Sequence, residues 1–236
     1  MTIARLLPRL LMTAVLLIPT PLLAQLRFQE GRHYNVVPAP QATGTAPAGK
    51  IEVTEVFSYI CHGCYDAQGL VEQLKSGLPQ DAVFTFVHAG FNQHWPLFQR
   101  AHLTAQRLGI AERNHARLFA GVWETFEFPF LDKATGRPRQ PAPIMRDFAR
   151  FYSKGGGVSE ADFVKLAASP EIDAAVKRAE GIVKGWQVGS TPTFVVAGRY
   201  RIEADMLSTS QDMQALINYL ISLERNRLKK PAPAAK

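Results

Sequence analysis

The period of the hydrophobic pattern changes several times along the chain, and the changes divide it. Residues 26–50 are loop-rich, with one short edge-strand candidate at 34–37 closed by Pro38 and Pro40. Residues 51–60, IEVTEVFSYI, are rich in β-branched and aromatic side chains and predict a strand. Ile51, Val53, Phe57 and Tyr59 share one of its faces, and Glu55 lies on that same apolar face. From Cys61 the period becomes helical, with Cys64, Leu70, Val71 and Leu74 inward, until Pro79 stops it. Residues 82–88 predict a second strand.

Five further helical stretches follow. Leu97, Ala101, Thr104, Ala105 and Leu108 mark the first, which Gly109 closes. Leu118, Phe119, Val122, Trp123 and Phe126 mark the second. Ile144, Phe148 and Phe151 mark the third, ended by Gly155-Gly156-Gly157. Ser159 with Asp162 reads as a capping box opening a fourth. Ser169-Pro170 supplies the start of one more, running Ile172, Val176, Ala179, Val183, Trp186. Strand character returns at 193–196, turns at Ala197-Gly198 and pairs back through 199–202 as a hairpin. A last helix is predicted from about Ser210 to Leu223, ahead of a disordered tail at 229–236. The order predicts an α/β chain in which a helical block at 96–180 interrupts a domain made of 25–95 and 181–228.

The N-terminus changes the picture of where this chain works. Arg5 and Arg9 precede the apolar run Leu10 to Ile18, and small residues lead to a cut near Ala24. This is the grammar of a secretory signal peptide over 1–24. An uncleaved anchor is the alternative, but Pro19 and Pro21 end the run early for a membrane span. The expected location is periplasmic. Removing 1–24 takes away two arginines and no acids, so the formal charge falls from +7 to +5. That excess is scattered, with one basic cluster at 225–230, and makes no claim on nucleic acid.

The only two cysteines lie in FSYICHGCYD, three residues apart. Exported proteins often carry structural disulfides. A chain this long does not need one, and so short a loop gives the least stabilisation. Spacing therefore favours chemistry. At the start of a helix, residues i and i+3 are roughly 5–6 Å apart, within disulfide reach. Unsatisfied N–H groups there favour an anion, lower a thiol pKa and make the thiolate reactive. Stabilising the thiolate makes the disulfide more oxidising. Cys61 is the exposed candidate nucleophile and Cys64 the buried resolving thiol. His62 can place a cation beside the thiolate, or can simply face solvent. Glu55, desolvated on the strand's inward face, can accept the proton of Cys64; a glutamate paired at a sheet edge is the alternative. Pro192 stands at the entry of the third strand.

EVFSYICHGCY, followed far downstream by GSTPTFVVAGRY, resembles the DsbA family of thiol–disulfide oxidoreductases. The resemblance covers the order of elements across the mature chain. It implies a thioredoxin-like fold with an inserted α-helical domain. It implies that Cys61 attacks and Cys64 resolves, that Glu55 is the buried acid, and that Thr191-Pro192 is a cis-proline loop holding an extended substrate. It also implies re-oxidation by a quinone-linked membrane oxidase. The dipeptide departs from the commonest family form, Cys-Pro-His-Cys, so the family's histidine contribution does not transfer unchanged.

The expected function is therefore a dithiol oxidase of folding exported proteins, acting as a monomer with no cofactor beyond the Cys61–Cys64 pair. A disulfide isomerase or reductase on the same scaffold is the alternative. A zinc module lacks ligands, because one CxxC supplies two and the histidines show no paired spacing. An inert protein with a structural disulfide would resist reduction by glutathione. A glutathione-conjugating enzyme of this superfamily is not usually exported.

Overall fold

The computed structural model describes residues 27–203, 206 and 209–229. The predicted leader at 1–24 lies outside them, as does the predicted tail beyond Lys229. Five strands form one sheet: β1 Asn35–Val36, β2 Ile51–Phe57, β3 Ala82–His88, β4 Thr193–Val196 and β5 Tyr200–Glu203. Their order is β1-β5-β4-β2-β3. β2 runs parallel to β3 and antiparallel to β4. It is a central strand, buried along its whole length, so the sheet-edge reading of Glu55 does not apply.

The pleat sends alternate residues of β2 to opposite layers. Val53 joins Phe194, Ile202, Leu74 and Leu216, under α2 (Gln68–Ser76) and α8 (Ser210–Lys229). Val56 joins Val87, Val195, Ile182 and Trp186, under α7 (Pro170–Gly185). Phe57 belongs to a third cluster with the helical block, where Phe98, Phe119, Phe128 and Phe148 are fully or almost fully buried. Three such clusters meeting along one strand fix where its C-terminal end points.

Between β3 and α7 stand α3 (Trp95–Arg107), α4 (Ala111–Trp123), α5 (Met145–Lys154) and α6 (Glu160–Ala167). Gly109, at φ 67°, closes α3 in the left-handed conformation that glycine adopts without strain. Ser159 and Ser169 cap α6 and α7 by accepting from the N–H groups of Asp162 and Ile172. A boundary at 180 falls inside α7, because that helix covers the sheet as well as packing against the block. α8 continues past its predicted end to Lys229.

The helix predicted from Cys61 is divided. α1 (His62–Asp66) stops at Ala67, where ψ is −5°, and α2 starts anew. The β4–β5 hairpin turns on Ala197 and Gly198, both at positive φ, as a two-residue turn between twisted strands requires. A side chain at Gly198 would collide with the carbonyl of Gln41.

Candidate active site

β2 ends at Phe57 and a tight turn over 58–61 delivers Cys61 to the N-cap of α1. Its backbone is extended there (φ −94°, ψ 114°), and its N–H bonds to the carbonyl of Ser58 at 3.0 Å. The half-buried Cys61 Sγ accepts from the N–H of Cys64 at 3.3 Å and donates to the carbonyl of Thr191 at 3.4 Å. Cys64, one turn on, is fully buried, and both thiols are free.

These surroundings push the two thiols apart. Hydrogen bonding from Cys64 lowers the Cys61 pKa to about 6 against the opposing effect of burial, with further help from Thr191 and the N–H groups of Cys64 and Gly63. Burial raises that of Cys64 strongly, with Cys61 and the charge of Glu55 adding to it. One thiol is thus set to be an anion at neutral pH and the other to hold its proton.

Glu55 is fully buried, and neither carboxylate oxygen has a hydrogen-bond partner. Desolvation, with Cys61 adding to it, raises its pKa to about 8. It is therefore protonated at neutral pH while Cys61 is ionised. The Thr191–Pro192 peptide is cis, and this loop lies against the CxxC turn. Gly63 faces it: a β-carbon there would sit 3.4 Å from Pro192 Cδ.

His62 points elsewhere. Its Nδ1 lies 3.0 Å from Asp66 Oδ2, both side chains are well exposed, and its ring meets Trp123 edge-on at 5.0 Å. Trp123 stacks on Tyr65, whose hydroxyl donates to Glu124 at 2.9 Å. Sequence reasoning did not single out these aromatic neighbours for the site, nor Tyr59, whose hydroxyl lies 3.1 Å from Nδ1 of both His102 and His115. The signal was present: His102 falls on the buried stripe of Phe98, Ala101 and Ala105, and His115 on that of Leu118, Phe119 and Val122. No cluster of three or more metal-binding side chains exists among the described residues.

The site, with its paired thiols of opposite tendency beside a cis-proline loop, can exchange one disulfide for another. Solved structures share the architecture. The oxidoreductase DsbA from Xylella fastidiosa is 30% identical, with a TM-score of 0.72 over 84% of this chain and 98% of that one. DsbA from Pseudomonas aeruginosa is 25% identical, with a TM-score of 0.71 over 87% and 99%. The thiol:disulfide interchange protein DsbA of Azotobacter vinelandii is 26% identical over 83% of this chain and 84% of its own. No family model matches the sequence. Fold and relatives together define a protein dithiol:disulfide oxidoreductase with a thioredoxin-like fold and an inserted α-helical domain. The chain belongs to the DsbA family.

Proposed function

We propose that this protein is a periplasmic oxidase that introduces disulfide bonds into folding exported proteins. The observation that carries this reading is the placement of the pair: Cys61, half-buried at the N-cap, accepts the N–H of Cys64, while Cys64 is fully buried, so that the Cys61 pKa is lowered to about 6 and that of Cys64 is raised. A thiolate stabilised in the reduced protein makes the disulfide a better oxidant.

In the oxidised protein a substrate thiolate attacks Cys61 Sγ, the accessible sulfur. The Cys61–Cys64 bond breaks and a mixed disulfide forms. Cys64 leaves with the electron pair and takes a proton, for which the donor in this reading is the buried, protonated carboxyl of Glu55. A second substrate thiolate then attacks the substrate sulfur. The substrate disulfide forms, and Cys61 departs as a stabilised thiolate. Two electrons have moved from substrate to protein. During re-oxidation Glu55 takes the proton back as Cys64 becomes a nucleophile. The Thr191-Pro192 loop holds the extended substrate beside Cys61. His62, exposed beside Cys61, faces the incoming chain. A quinone-linked membrane oxidase takes the two electrons. The chain works as a monomer.

Mixing oxidised protein with a reduced, unfolded two-cysteine substrate at equal concentration tests this. Substrate should become oxidised as Cys61–Cys64 becomes reduced. Cys61→Ser should abolish transfer, and Cys64→Ser, offered the substrate in its disulfide form, should be trapped as a mixed disulfide as the Cys61 thiolate displaces one substrate thiol. A substrate left reduced by the unmodified protein would sink the reading.

A further inference from the structure

Tyr59 sits two residues before Cys61, inside the turn that presents it, and is fully buried. Each of its polar groups is held by a different neighbour. Its N–H donates to His88 Nε2 at 3.4 Å, at the end of β3. Its carbonyl accepts from Trp123 Nε1 at 2.8 Å, at the end of α4. Its hydroxyl lies 3.1 Å from Nδ1 of His102 on α3 and 3.1 Å from Nδ1 of His115 on α4.

The protonation states of these partners are mutually consistent. His88 Nδ1 lies 2.7 Å from the carbonyl of Ala89, so it carries the proton and leaves Nε2 bare to accept from Tyr59. The Tyr59 hydroxyl has one hydrogen. It gives this to one of the two facing rings and accepts N–H from the other, which neutral rings in opposite tautomers allow. Burial keeps all three rings neutral, depressing their pKa values well below 6.5. Every polar group of Tyr59 is thus paired, while Nε2 of His102 and of His115 has no partner, and buried pairing of this kind fixes the geometry of the residue it holds.

We propose that Tyr59 is a positioning residue through which the helical block sets the reactivity of Cys61. The tether acts on geometry. With Tyr59 pinned to β3, α3 and α4, the turn cannot rotate, and the N–H of Cys64 stays aimed at Cys61 Sγ. Releasing the hydroxyl or the carbonyl lets the turn relax, and the thiolate loses part of its stabilisation. The inference rests on Cys61 being the attacking thiol, as proposed above.

The test is the pH profile of Cys61 alkylation in the reduced protein, for the parent and three variants. Tyr59→Phe removes the hydroxyl. Trp123→Phe removes the donor to the Tyr59 carbonyl and lies at a half-exposed position, so it decides the matter if Tyr59→Phe does not fold. Thr54→Val is the control. It breaks a buried hydroxyl pair with Thr85, at 2.7 Å, on the same strand but away from the turn. The parent midpoint should fall near pH 6. Tyr59→Phe and Trp123→Phe should each move it up by about one unit, leaving about tenfold less thiolate at pH 5. The equilibrium with glutathione should shift toward the disulfide form of the protein in the same variants. Thr54→Val should lose stability with its midpoint unmoved. Unmoved midpoints in both turn variants, or an equal shift in Thr54→Val, would overturn the inference. A parent midpoint near 9 would overturn the reading of Cys61 itself, and this inference with it.

Discussion

Two thiols one helical turn apart differ because only one of them meets hydrogen-bond donors without being fully enclosed. Cys61 has a lowered pKa, so its ionisation favours the folded, reduced protein fully above pH 9 and is lost as pH falls through 6. The disulfide form has no such titration. The reduced protein should therefore gain stability over the oxidised one as pH rises from about 6, with the gain levelling off near 9. Paired denaturant melts across that range check this. Glu55 behaves in the opposite sense. Its folded pKa is raised from 4.5 to about 8, so its contribution is complete below pH 4.5 and lost as pH rises to 8. Glu55→Gln should match the parent at pH 4.5 and below and be more stable by about 4–5 kcal/mol above pH 8. Equal pH dependence in the two proteins would mean that the carboxyl finds a partner or water. Glu55 was legible as a problem, a carboxylate on an apolar face. That Thr191 lies beside Cys61 was legible only through the family resemblance, because 130 residues separate them and only the sheet brings them together.

At the scale of elements, the strand–turn–helix that carries the cysteines and the hairpin that carries the proline were both readable from period and turn chemistry. The division of the first helix at Ala67 was not, since no proline marks it and Gly63 and Gly69 both lie inside helical turns rather than at the break. The hairpin offers a direct check. Gly198 has φ 58° and lies against the backbone of Gln41, whose N–H donates to the Gly198 carbonyl at 3.2 Å. Gln41 in turn accepts from the Trp186 indole at 3.1 Å. Gly198→Ala should cost about 2–3 kcal/mol in thermal or denaturant unfolding, since both backbone angle and space oppose it. Ser169→Ala, which removes only the cap of α7, should cost about 1 kcal/mol. If the two cost the same, the Gln41 contact is not tight.

Across the whole molecule the helical block and the sheet are joined through buried aromatic rings and through His88, His102 and His115, all packed against Phe57. The sequence shows those histidines, but not that they converge from three elements. Their folded pKa values are depressed, to about 3 for His102 and His115. Stability from such a group is complete above 6.5 and lost as pH falls toward the folded value. One of them alone accounts for about 4–5 kcal/mol, a large share of a typical total. The protein should thus unfold cooperatively between roughly pH 5 and 3. Replacing His102 with Gln should shift that acid midpoint down. Acid unfolding unchanged by this substitution would place the weakness elsewhere.

Whether Cys61–Cys64 is an oxidising couple is tested most directly by the equilibrium of the pair with glutathione, read by alkylation and mass. A strongly oxidising potential is expected, close to the roughly −120 mV already established for DsbA itself. A potential near about −270 mV, at the reducing end of the thioredoxin-like range, would contradict the oxidase and leave a reductase on the same scaffold.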